Sequence, residues 1–74
     1  MTKQQKIDFK KLSTKVERAK FLLNIGVKSK VNIVDLNLVS QACVGDVLLP
    51  VYGDNDNDAI AKGTQWLQGI ADNG

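Results

Sequence analysis

Aspartates alternate at Asp54, Asp56 and Asp58, the spacing that supplies ligand places one, three and five of a calcium-binding EF-hand loop. The match then decays. Place six, where glycine makes the sharp turn, is Ala59, and place twelve, where a bidentate glutamate closes the site, is Gln65. The motif therefore reads as an Asx-rich turn whose last carboxylate, Asp58, caps a following helix, with weak calcium binding as the alternative.

Other reactive chemistry is sparse. The chain has no histidine and a single cysteine, Cys43. Triads, imidazole-based general bases and the usual tetrahedral zinc sets therefore cannot be assembled from one copy. A nucleophilic Cys43 would need a nearby cation or a helix N-terminus to lower its pKa, yet it lies between Ala42 and Val44 with Asp46 close by. It reads as a structural thiol. Asp8, Glu17, Asp35 and Asp46 show no spacing that singles out a catalytic pair, and neither a Walker-type nor a dinucleotide-binding glycine pattern occurs. No catalytic residue and no cofactor are assigned.

Binding is the remaining class. Residues 1–30 hold nine Lys or Arg against two acids, whereas residues 31–74 hold Lys62 against six aspartates. Lys10, Lys11, Lys15 and Arg18 are the electrostatic candidates; several cations on one helix surface would neutralise phosphates in a sequence-independent way. Against a nucleic-acid partner stand one arginine, few aromatics for stacking on bases, and the acidic second half. Tyr52 and Trp66 are the candidate apolar anchors. Trp66 is also read as completing the core, with its indole N–H at the rim.

The elements that must present these residues begin with Phe9, Leu12, Val16, Ala19 and Leu23, spaced by three, four, three and four. That spacing predicts one amphipathic helix near residues 3–24, opened by a Thr2/Gln5 capping box and closed by Gly26 in a left-handed conformation. A second capping spacing, Thr14 with Glu17, marks the one place where this helix could restart.

Residues 27–52 satisfy two periods. Leu36, Val39, Cys43 and Val47, with a stop at Pro50, predict a helix over 33–49. The alternative is a β-hairpin: Val34, Leu36 and Leu38 alternate with polar residues, Gly45-Asp46 reads as a turn, and Val47 to Tyr52 has strand composition. A last helix is predicted over 58–71 from Ile60, Leu67, Ile70 and Ala71.

The expectation is thus a single small domain over residues 1–74, an all-α three-helix arrangement, with an α+β order of helix, β-hairpin and helix as the alternative. A chain of this length buries only about 60% of its unfolded surface, which favours a protein partner or self-association. The lysine-rich start lacks an apolar signal region, and no apolar run approaches the ~20 residues of a spanning helix, so a cytoplasmic location without membrane contact is expected. The function expected is that of a non-enzymatic protein–protein binding module, with a nucleic-acid-binding accessory role through the basic N-terminal helix as the alternative.

Overall fold

A computed structural model describes residues 1–73. The order is α1 (Lys3–Lys10), α2 (Lys15–Ile25), β1 (Lys28–Val34), β2 (Asn37–Val44), β3 (Val47–Gly53) and α3 (Asp56–Asp72). The all-α expectation is therefore overturned, and the α+β alternative describes the chain, with three strands where a hairpin was expected. The helix expected over 33–49 fails because β-branched residues crowd this segment and two turns cut it. At Gly45-Asp46 a positive φ of +58° at the first residue suits a tight hairpin turn. At Asp35-Leu36 both residues have positive φ, +50° and +67°, the signature of a type I′ turn.

The single N-terminal helix is also corrected. It divides after Lys10, and α2 restarts on a new cap, with Thr14 Oγ1 accepting the Glu17 N–H at 3.1 Å. The Thr2/Gln5 capping box opens α1 as expected, its two reciprocal bonds measuring 3.1 and 2.8 Å. Gly26 does end α2, but at φ +110° and ψ +134°, outside the left-handed helical region.

The strands form an antiparallel meander in the order β1-β2-β3. Opposed residues share a face, so Ser29, Val31 and Ile33 lie on the same side as Ala42, Ser40 and Leu38. The Ala42 side faces α3, and Ala42, Val44, Leu49, Ala19, Leu22 and Leu67 make the core. Between Gln41 and Cys43 the β2–β3 register shifts, and β3 takes up the extra residues around Pro50 in a bulge. The buried Gln41 side chain bridges the gap by donating to the Leu49 carbonyl at 2.9 Å.

Packing of α3 depends on Ala59, Gly63 and Leu67, which recur every four residues and are all buried. Gly63 sits directly over Ala42: a methyl group added there would come 2.6 Å from Ala42 Cβ and 3.1 Å from Val27 Cγ1. The absent side chain sets the distance between helix and sheet. Gly63→Ala is expected to destabilise the fold by about 1–3 kcal/mol through overpacking, despite the gain of about 1 kcal/mol in helix propensity. Urea unfolding measures the balance, and a stabilised variant would contradict this account of the packing.

Candidate functional site

The sheet face that packs on α3 is longer than the helix covers. Asp56, the first residue of α3, accepts a 3.2 Å hydrogen bond from Ser40 Oγ, and Ser40 pairs with Gly53, the last residue of β3. Beyond that row β1 and β2 continue alone as a two-stranded ribbon. On the inner face Val31, in that last three-stranded row, is 66% exposed, Ile33 and Leu38 on the ribbon are 65% and 74% exposed, and Leu36 at the tip is 97% exposed. Three large apolar side chains thus extend the core face into solvent, with Leu36 exposed beyond them in the turn.

The tip itself is strained. A type I′ turn favours Asn-Gly or a similar pair because both central residues need positive φ. Leucine in that region pays a steric cost that glycine does not. Strain of this kind persists where the surroundings or the function demand it, and here nothing packs on the side chain to demand it.

On the opposite face a chain of carboxamides stiffens the base of the ribbon. Asn32 Nδ2 donates to Gln41 Oε1 at 2.6 Å, and the Ile33 main-chain N–H donates to Asn32 Oδ1 at 2.8 Å. With the Gln41 bond to Leu49 this network reaches all three strands. It satisfies a buried amide structurally and brings no acid, base or nucleophile together.

The residues singled out from sequence fall in separate places. Lys10 ends α1, Lys11 is its C-cap, and Lys15 and Arg18 occupy the first turns of α2; all four are exposed. Arg18 Nε donates to the Leu12 carbonyl at 3.1 Å, tying α2 to the break before it. Tyr52 lies opposite Gln41 and so on the face away from α3, whereas Trp66 is carried by α3. Both are partly exposed, and they form no common anchor. Trp66 does not complete the core, because the small residues Ala59 and Gly63 take the line nearest the sheet. Cys43 is buried in β2, as a structural thiol would be.

Of the alternating aspartates, the Asp56 and Asp58 carboxylates are engaged within the protein. The helix cap is Asn55 rather than Asp58, its Oδ1 accepting the Asp58 N–H at 2.9 Å. Asp58 Oδ2 in turn accepts the Asp54 N–H at 3.0 Å and pairs with Lys62 at 3.0 Å. The Asp54 N–H first, and Lys62 second, hold the Asp58 carboxyl below its ordinary value. Among the described residues no group of three His, Cys, Asp or Glu side chains is placed to hold a metal ion, so the calcium alternative gains no site. No helix among them is long and apolar enough to cross a membrane. No protein-family model, curated protein or solved structure matches the chain.

Sequence reasoning missed the overhanging ribbon. The alternation of Val34, Leu36 and Leu38 reads as one strand, whereas the turn at Asp35-Leu36 divides them. Replacing Leu36 by glycine relieves the turn and is expected to raise stability by up to about 1 kcal/mol, read by thermal or urea unfolding. A loss of stability would mean that the leucine packs on the fold. For Asp58 the folded carboxyl titrates below its unfolded value of 3.8. Its contribution is therefore complete above that value and is lost as pH falls through the lower, folded one. The melting temperature is expected to drop in acid below about pH 4, and less steeply in Asp58→Asn; identical pH profiles would contradict this.

Proposed function

We propose that this protein is a non-enzymatic binding module that works through protein–protein contact, with the β1–β2 ribbon as its binding surface. One observation carries the reading: Val31, Ile33 and Leu38 stand exposed where the core face continues past the start of α3, and Leu36 stands exposed at the tip beyond them. Apolar patches of this kind mark interaction sites on small domains. A strained, fully exposed leucine at the tip is the form an anchor takes when it enters a partner's pocket.

The charge around the ribbon also favours a protein partner over nucleic acid. Asp35 lies at the tip, Asp54 just before α3 and Asp56 at its start, so a polyanion approaching the apolar end of the ribbon meets carboxylates. The cations of β1, Lys28 and Lys30, lie toward the other end of that strand. The cations Lys10, Lys11, Lys15 and Arg18 are carried by other elements. In this reading they serve solubility or the rim of the contact.

The test is paired capture from the native cell extract, with the wild-type chain and with the double variant Leu36→Ser, Leu38→Ser, each with and without nuclease. Proteins retained by the wild type, lost from the variant and insensitive to nuclease support the reading. Equal capture by both chains, or retention only of nuclease-sensitive material, overturns it.

A further inference from the structure

We infer that β1 is a dimerisation edge, on which a second copy of this chain adds its own β1 in antiparallel fashion about a two-fold axis at Val31. The inference deepens the binding-module reading by naming one partner of the ribbon.

The argument starts from the main chain. In a two-residue hairpin the residues flanking the turn, here Val34 and Asn37, exchange hydrogen bonds, and the pairs alternate from there. Asn32, Lys30 and Lys28 therefore bond inward to β2, while Ser29, Val31 and Ile33 turn their N–H and C=O groups outward. The bond from the Ile33 N–H to Asn32 Oδ1 fits this assignment. β1 is an edge of the sheet, runs seven residues without proline, and keeps an unbroken register with β2. The other edge, β3, carries Pro50 and the register shift, both devices that interrupt the main-chain ladder, whereas the guards on β1, Lys28 and Lys30, are side chains that leave its ladder intact.

The register favours a second copy as the occupant. Val31 is the midpoint of Lys28–Val34 and is itself an outward-bonding residue, so full overlap of two β1 strands places Val31 against the second copy's Val31. Ile33 then lies opposite Ser29, a large residue against a small one. Lys30 lies opposite Asn32 and Lys28 opposite Val34, so no lysine sits directly across from a lysine, and the two Lys30 residues meet only as diagonal neighbours whose long side chains reach apart into solvent. The two Val31 residues exchange a pair of bonds, and each Ser29 N–H reaches the Ile33 carbonyl of the other copy. All of these form with Asn32 left in place. The exposed Val31 and Ile33 side chains of both copies become interior to one continuous six-stranded face.

The experiment is sedimentation equilibrium of the full chain over a concentration series reaching about 1 mM. The 8.1 kDa chain is expected to reach twice its mass. Val31→Pro removes an outward N–H while sparing the β2 ladder, and Val31→Lys places like charges across the axis; each is expected to return the chain to monomer with an unchanged circular dichroism spectrum. Because Val31 is largely exposed, the lysine variant keeps the test valid should the proline variant fail to fold. Leu36→Ser, beyond the paired strand, is expected to leave the dimer intact. A wild type that stays monomeric throughout, or a dimer that survives Val31→Lys, overturns the inference. A dimer lost in Leu36→Ser but kept in Val31→Lys also does so, by locating the contact at the tip. Capture of other proteins through Leu36 and Leu38 is read separately, so either proposal can fail alone.

Discussion

The close approach of α3 to the central strand is the constraint on which the remaining structure depends. Gly63 lies over Ala42, and Ala59 and Leu67 extend the same line, so helix and sheet meet with almost no side chain between them at the centre. A small domain has little apolar surface to bury, and this contact places what it has where Val44, Leu49, Ala19 and Leu22 can close around it. It also decides what remains outside. A helix seated so closely at Ala42, and starting at Asp56 beside Ser40, leaves the last rows of β1 and β2 beyond its reach.

That division gives the two faces of the sheet different tasks. Polar side chains on the outer face, Asn32 and Gln41, are consumed by the sheet's own architecture, bridging strands and compensating for the displaced register at Leu49. Buried polarity there supports the fold and is not a remnant of chemistry. The inner face is mostly apolar, broken by Ser29 and Ser40, and is covered over only part of its length. Fold and proposed function thus use one surface, divided by where the helix begins.

Parts of this were legible in the sequence. The Thr2/Gln5 box, the Gly45-Asp46 turn, the strand character of Val47 to Tyr52 and the existence of α3 follow from local rules that the fold obeys. The break between α1 and α2 was marked by the Thr14/Glu17 spacing, but the apolar stripe from Phe9 to Leu23 runs straight through it and masks it. The ribbon was hidden for a sharper reason. Its turn uses Leu36 where glycine or asparagine would announce a reversal, so the valine-rich stretch also fits a helical period. The anchors expected at Tyr52 and Trp66 were chosen by size, whereas the tertiary packing is decided by the smallest side chains, and those carry no hydrophobic signal.

The meander has a consequence for how the chain reaches this state. Each strand pairs with its neighbour in sequence through a two-residue turn, so the sheet can zip up locally at low entropic cost. Seating α3 closes a loop from Ala42 to Gly63, and docking α2 closes a longer one. Chain closure over those distances carries the greater entropic penalty. Any copy in which α3 is not seated therefore presents the whole inner side of the meander, a surface that the finished fold leaves open only at its end.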